Sequence, residues 1–70
     1  MEVKDSNGTS LKNGDNVILI KSMKIKGAQM TLKSGTLFRN IKLKETPEEV
    51  DCSINGTAIV LSTIFLRKAD

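Results

Sequence analysis

The chain has 70 residues, a formal net charge of +3, one cysteine and no histidine. A chain this short forms one domain with one core, and because a lone cysteine cannot close an internal disulfide, its stability must come from apolar packing and backbone pairing. Without histidine, a nucleophile has no imidazole base and a structural zinc site lacks its usual ligands, so both kinds of site are excluded.

The N-terminal residues carry charges of both signs, and no apolar segment of the kind found in export signals follows them. The longest strongly apolar run is Val17-Ile18-Leu19-Ile20, far short of the roughly 20 residues needed to span a bilayer. We therefore expect a cytoplasmic protein that does not contact a membrane.

Turn signals recur about every eight to twelve residues, the spacing of short strands in a sandwich or barrel. Asn7-Gly8, Asn13-Gly14 and Asn55-Gly56 are Asn-Gly pairs that suit tight turns, and Gly27 and Gly35 mark two further breaks. Helical signals are nearly absent. The pattern predicts an all-β fold of five or six strands.

The first strongly apolar segment is Val17 to Ile20. It follows a turn predicted at Asn13-Gly14-Asp15. Its residues are apolar on both faces, which is typical of a strand covered on both sides. We expect a central strand here.

Between Leu37 and Lys44, the apolar residues switch from even-numbered to odd-numbered positions, so a regular strand would place them on opposite faces. Phe38 occupies an even position, whereas Ile41 and Leu43 occupy odd ones. A β-bulge near Arg39-Asn40 would turn all three side chains inward.

The clearest hairpin is centred on Asn55-Gly56. A type I′ turn there would place Ile54 opposite Thr57, Cys52 opposite Ile59, and Val50 opposite Leu61. This register puts the apolar residues on one face, namely Val50, Cys52, Ile54, Ile59 and Leu61. Asp51, Ser53 and Asn55 then lie on the other.

Beyond the hairpin, Ser62 or Thr63 could cap one short helical or 3₁₀ turn before Phe65-Leu66 return to extended structure. A single tight turn ahead of the last strand is typical of SH3-like barrels. The residues themselves predict five or six strands, with one short 3₁₀ turn before the last strand.

Several short motifs follow one another from about Val3 to Phe65. They are Val3-Lys4-Asp5, Asn7-Gly8, Leu11, Gly14-Asp15-x-Val17, Ile20-Lys21, Lys24-x-Lys26-Gly27, Leu32-Lys33-x-Gly35-Thr36, Asn40-Ile41, Asp51-Cys52-x-Ile54-x-Gly56 and Leu61. In this order and spacing they resemble the PhnA-like domain family. The resemblance implies one compact SH3-like barrel over residues 1–70.

Many proteins similar to this one carry a cysteine-rich zinc ribbon ahead of the barrel, and we expect no N-terminal zinc ribbon here because those cysteines are missing. The family name derives from a bacterial operon for alkylphosphonate use, so the resemblance implies a nominal link to alkylphosphonate metabolism without a mechanism. The name also invites confusion with a phosphonoacetate hydrolase, whose metal ligands this chain lacks.

Charge is unevenly distributed along the chain. No acid lies between Asp15 and Glu45, a stretch that contains seven cations: Lys21, Lys24, Lys26, Lys33, Arg39, Lys42 and Lys44. Lys24 and Lys26 share a face of their segment, as do Lys42 and Lys44 of theirs, so these charges could converge on phosphate-bearing ligands, nucleic acid above all. The alternative is an ordinary solvated surface.

The scarcity of aromatic residues argues against two kinds of recognition, stacking of single-stranded nucleic acid and binding of proline-rich peptides. Single-strand binders stack bases on aromatic side chains, but the two aromatics here, Phe38 and Phe65, are predicted to lie in the core. Proline-rich peptides dock in aromatic grooves, and the chain has no tyrosine or tryptophan. An exposed strand edge could still recruit a protein partner or a second copy, although lysine-rich edges oppose this.

The remaining reactive residues favour structural roles. Cys52 alternates with apolar residues and is predicted to be a buried core residue rather than a reactive thiol. The acidic residues after Glu45 do not match a calcium loop, and Pro47 indicates an exposed turn. A Ser-Lys catalytic pair lacks any oxyanion-hole motif.

We therefore expect neither an enzyme nor a cofactor-binding protein. The prediction is a non-enzymatic accessory or binding module. The alternative is a nucleic-acid-binding module with a basic surface over residues 21–44, and a small-anion role tied to phosphonate metabolism is a further one.

Overall fold

The computed structural model describes residues 2–25 and 30–69. The strands are β1 (Asn16–Leu19), β2 (Met23–Ile25), β3 (Met30–Leu32), β4 (Leu37–Phe38), β5 (Lys42–Leu43), β6 (Glu49–Ile54), β7 (Thr57–Ser62) and β8 (Leu66–Ala69), with a 3₁₀ turn over Thr63–Phe65. The predicted all-β class is confirmed. The described residues form eight strands rather than five or six, partly because the chain breaks between β4 and β5.

The strands form three antiparallel sheets, with the orders β4-β1-β8, β2-β3 and β5-β6-β7. Within the described residues, hydrogen bonding does not join these sheets into one closed barrel, so the barrel predicted from the sequence is an open arrangement here. No helix within these residues has the length and apolarity needed to cross a membrane.

The central position predicted for the Val17 segment is confirmed, because β1 lies between β4 and β8. The expectation that both faces are covered is wrong. Val17 and Leu19 are buried, whereas Ile18 is half-buried and Ile20, just beyond the strand, is 45% exposed. Alternate side chains of a strand point to opposite faces, and only one face of this sheet packs on the core.

The hairpin of β6 and β7 has the predicted register. Cys52 pairs with Ile59, and Ile54 pairs with Thr57 across the turn. Asn55 and Gly56 have φ values of 51° and 80°, as the two central residues of a type I′ turn require. The alternation of apolar and polar residues therefore sets both the pairing and the buried face.

The chain changes direction between β4 and β5. Phe38 and Ile41 are buried and Leu43 packs against the core, so the predicted inward orientation of these three residues is confirmed. The predicted β-bulge within one strand is not what orients them. The chain instead breaks into two separate strands, and Asn40 between them adopts a left-handed conformation with φ 58°.

The 3₁₀ turn predicted before the last strand is confirmed. Phe65 belongs to this turn, although the sequence predicted that it would already be extended. Ser62 occupies the N-cap position, but its hydroxyl makes no capping hydrogen bond, so the predicted side-chain cap is wrong. The Thr63 amide instead donates to the Glu48 carbonyl at 2.9 Å, which extends the β6–β7 pairing by one step.

The N-terminal segment is held by a buried carboxylate. Asp5 Oδ1 accepts hydrogen bonds from the amides of Asn7 at 2.9 Å and Thr9 at 2.8 Å, and Oδ2 accepts one from the amide of Lys68 at 2.6 Å. Burial raises the pKa of this carboxyl, but the amide donors outweigh burial and leave the pKa below its ordinary value. Asp5 thereby joins the turn at residues 6–9 to β8.

Candidate anion-binding groove

An open groove of about 330 Å³ lies on the outer side of the β5-β6-β7 sheet. It is lined by Arg39, Asn40, Lys42, Asp51, Cys52, Ser53 and Ala58. Lys42 and Asp51 are paired across β5 and β6, and Ser53 and Ala58 across β6 and β7. The groove therefore combines two cations from the chain around β5 with small and polar residues of the hairpin.

The segment that carries Arg39 and Lys42 is clamped by the turn before β1. The Gly14 amide donates to the Ile41 carbonyl at 2.8 Å, and the Ile41 amide donates to the Asp15 carbonyl at 3.0 Å. These reciprocal bonds hold the backbone between the two cations in place. Groups held in one geometry lose less conformational entropy when they bind a ligand.

Two asparagine side chains complete the clamp. Asn16 Oδ1 accepts from the Asn40 amide at 3.2 Å, and Asn13 Oδ1 accepts from the Leu43 amide at 2.7 Å. Gly14 has a φ of 92°, a conformation that glycine adopts without the strain imposed by a Cβ. The Asn13-Gly14 pair is thus both the predicted turn and a support for the groove.

Cations exceed anions in the groove. Asp51 lies within it, but its Oδ1 is 3.6 Å from the Lys44 ammonium, and this partly exposed pair offsets much of the local negative charge. Within the described part of the chain, neither Arg39 nor Lys42 has a carboxylate within 4.0 Å. Both side chains are exposed and free to contact an anion.

The basic residues predicted from the sequence do not all meet at this groove. Arg39 and Lys42 line it, and Lys44 lies beside it through Asp51. Lys24 lies in β2 and Lys33 directly follows β3, so both belong to the separate β2–β3 hairpin. Lys26 lies outside the described residues.

Lys21 is engaged elsewhere. Its ammonium lies 5.4 Å from the centre of the Phe65 ring, which is a cation–π distance. Phe65 is half-buried and Phe38 only 1% exposed. Neither ring offers a free face of the kind on which single-stranded nucleic acids stack.

Cys52 has the predicted core role. Its side chain is 2% exposed, and burial, with a smaller contribution from the Asp51 carboxylate, raises the pKa of the thiol to about 11. A thiol with such a pKa is almost entirely protonated at neutral pH and is a poor nucleophile. In residues 2–25 and 30–69, no three acidic or cysteine side chains group closely enough to hold a metal ion.

Sequence reasoning missed part of the groove. It named Arg39 and Lys42 for their charge, but gave no role to Asn40, Ser53 or Ala58 in binding. Ser53 was available as a signal, since the predicted hairpin register already placed it on the outer face beside Asp51. The contacts of Asn13 and Asn16 with residues 40–43 connect segments far apart in sequence and leave no periodic pattern.

The sequence is similar to proteins of one known family. A family model described as the PhnA domain matches residues 3–69. The chain is 51% identical over 67 residues to a protein called "Protein YjdM homolog" from Haemophilus influenzae, and 46% identical to Protein YjdM from Streptococcus mutans. Protein YjdM from Escherichia coli K12 is 43% identical over 67 residues.

These alignments cover most of this chain but only part of each relative. They include 96% of this chain and 52% of the Haemophilus protein, and 94% of this chain with 61% and 60% of the Streptococcus and Escherichia proteins. The chain thus spans little more than half the length of the relatives that it matches.

Proposed function

The chain belongs to the PhnA domain family, and within it we propose that this domain is a non-enzymatic binding module whose groove at Arg39 and Lys42 takes a phosphate- or phosphonate-bearing anion. One observation carries this proposal. Two cations that have no carboxylate partner among residues 2–25 and 30–69 share a groove with hydroxyl and amide groups, and hydrogen bonds hold the backbone between them.

The chemistry of the lining residues suits a tetrahedral oxyanion. The Arg39 guanidinium can donate two parallel hydrogen bonds to neighbouring oxygens, and the Lys42 ammonium supplies a compact second charge. Ser53 can donate its hydroxyl hydrogen and Asn40 an amide hydrogen. Phosphates and phosphonates present the same three-oxygen face, so their shared chemistry defines the ligand class.

A binding role without turnover agrees with the reactive groups that the chain offers. Cys52 is buried with a raised pKa, and the sequence contains no histidine that could act as a base at neutral pH. Asp51 is the carboxylate of the groove, and its Oδ1 lies 3.6 Å from the Lys44 ammonium. These residues support binding and charge compensation rather than proton transfer.

An SH3-like architecture remains our proposal for the fold family. The central position of β1, the hairpin of β6 and β7, and the 3₁₀ turn ahead of β8 all support it. In this arrangement the groove lies on the outer face of one sheet, outside the core. Ligand binding there would need no opening of the fold.

The groove can be tested by removing its two cations. We expect the double substitution Arg39→Gln and Lys42→Gln to weaken binding of inorganic phosphate and methylphosphonate by about tenfold or more, because the loss of even one charge-assisted hydrogen bond, at about 1.5–3 kcal/mol, raises Kd by at least that factor. Chemical-shift titration of the ¹⁵N-labelled protein measures the affinity. In the unsubstituted protein, the largest shifts should occur at residues 39–42, 51–53 and 58.

The double substitution Lys24→Gln and Lys33→Gln is the matched control. It removes the same net charge from exposed positions on the β2–β3 hairpin. We expect it to leave the affinity for phosphate nearly unchanged. Equal losses in both double variants would contradict a localised site and indicate attraction by the overall positive charge.

The same titration with a mixed-sequence RNA oligomer tests the nucleic-acid alternative. Binding through several phosphates falls steeply with salt and would shift residues across 21–44, including the β2–β3 hairpin. Tight, salt-sensitive RNA binding that both double variants weaken would replace the small-anion proposal. Absence of shifts with RNA, together with saturable shifts from phosphate, would favour the groove.

A further inference from the structure

The strand β7 forms one edge of the β5-β6-β7 sheet. Its six residues, Thr57–Ser62, contain no charge, proline or glycine. Side chains on the outer face of the sheet are open to solvent, and Val60 at the middle of the strand is 46% exposed. Among the described residues, no other strand pairs with the free side of β7.

The register shows which backbone groups point away from the sheet. A two-residue turn makes Ile54 and Thr57 a hydrogen-bonded pair, and such pairs alternate along an antiparallel ladder. The bond from the Thr63 amide to the Glu48 carbonyl follows the same alternation. The amides and carbonyls of Ala58, Val60 and Ser62 therefore point outward, toward the free side of β7.

Most of the other edge strands carry features that oppose pairing. The edges β5 and β4 are two residues long, and β5 carries Lys42. The edge β8 carries Arg67 and Lys68, and β2 and β3 have three residues each. Short strands and edge lysines are the usual protection against intermolecular pairing, and β7 has neither.

We propose that β7 pairs with β7 of a second copy of this chain, in an antiparallel ladder whose two-fold axis passes beside Val60. In this register Val60 faces Val60 of the second copy, and Ala58 faces Ser62. All six outward backbone groups then find partners, and two three-stranded sheets become one of six strands. The exposed Val60 side chains pack against each other.

The lack of charge on the strand favours a second copy as its occupant. A two-fold axis places every residue near its own copy, so a charged edge would bring like charges together. The nearest acid on the same face is Asp51, which pairs with Val60 within the hairpin. Across the new contact the two Asp51 residues would lie about 15 Å apart, beyond the Debye length at physiological salt.

A charge at the centre of β7 tests the proposal. We expect sedimentation equilibrium of the unsubstituted chain to show association from 7.7 kDa to twice that mass, and Val60→Lys to raise the dimer Kd by about tenfold or more. Because Val60 is largely exposed, the variant should keep its fold, which a ¹⁵N–¹H spectrum verifies.

Ile64→Lys is the matched control. Ile64 is 62% exposed, lies in the 3₁₀ turn rather than in β7, and receives the same charge in place of an apolar side chain. We expect this variant to dimerise as the unsubstituted chain does. If it dissociates as Val60→Lys does, the dimer forms through a different surface and the proposal is wrong.

Amide hydrogen exchange gives a second measurement that needs no substitution. Protection of the Ala58, Val60 and Ser62 amides should increase with protein concentration, while that of Ile59 and Leu61, whose amides already face β6, should change little. A protein that remains monomeric up to about 1 mM, with fast exchange at the three outward amides, would overturn the proposal. A dimer with unprotected outward amides would do the same.

Discussion

Replacing Asp5 with alanine is expected to lower the free energy of unfolding by about 3 kcal/mol, one of the largest losses available to a single polar substitution in this chain. The change removes the acceptor of three backbone amides, those of Asn7, Thr9 and Lys68. Hydrogen bonds to a charged acceptor are stronger than neutral ones, and the donors left behind are partly shielded from water. Urea unfolding at neutral pH measures the loss.

Asp15→Ala is the matched control for this prediction. The Asp15 carboxylate accepts one amide bond, from Lys12 at 2.9 Å, and lies 3.7 Å from the Lys68 ammonium, in a more exposed setting. We expect a loss of about 1 kcal/mol. If the two variants lost similar free energies of unfolding, the three amide hydrogen bonds of Asp5 would contribute no more to stability than the single one of Asp15.

Acid titration provides a separate test of Asp5. Its pKa in the folded protein is below the ordinary value of 3.8, so the unfolded chain binds its proton first as the pH falls. The stabilisation is therefore complete above the ordinary pKa and is lost as the pH drops through the folded pKa. The stability difference between the unsubstituted chain and Asp5→Asn should narrow between about pH 5 and pH 2. A constant difference would contradict the lowered pKa.

Sequence patterns correctly predicted those parts of the fold that depend on residues close together in the chain. The hairpin of β6 and β7 follows from one Asn-Gly pair and from strict alternation on both sides, so its register could be read from residues within about six positions of the turn. The tight turn before β8 and the burial of Cys52 have equally short-range causes.

The misassigned elements depended on packing that periodicity does not encode. The Val17 segment reads as apolar on both faces, yet only the side chains of Val17 and Leu19 reach the core. Ile18 and Ile20 remain partly or largely exposed because the sheet has one covered face. Apolar residues on a protein surface are common, so composition alone cannot distinguish a strand with two buried faces.

The candidate site could be predicted only in part for a similar reason. Seven cations were grouped by sequence because no acid separates them. The fold instead assigns Lys24 and Lys33 to the β2–β3 hairpin, while Arg39 and Lys42 line the groove. Which cations meet depends on the clamp between the Asn13 turn and residues 40–43, a contact between segments about 25 to 30 positions apart. Asp5 was missed because its amide partner on β8, Lys68, is 63 positions away in the sequence.

Among substitutions in the hydrophobic core, we expect the largest loss of stability at Phe38. It is 1% exposed, is the largest fully buried side chain of the described residues, and pairs with Val17 at the break between β4 and β5. Phe38→Ala is expected to lower the free energy of unfolding by about 4 kcal/mol, because it removes buried apolar surface and leaves a cavity. Since a domain of this size has a total stability of about 5 kcal/mol, the variant should be close to unfolding at 25 °C.

Phe65→Ala is the matched control, because it is the same change at the other phenylalanine of the chain. Phe65 is half-buried at the margin of the core, with the Lys21 ammonium over its ring. We expect a loss of about 1–2 kcal/mol from partial burial and the cation–π contact. Thermal and urea unfolding of both variants measure the contrast. If Phe65→Ala proved as damaging as Phe38→Ala, the core would centre on the 3₁₀ turn and not on the junction of β4 and β5.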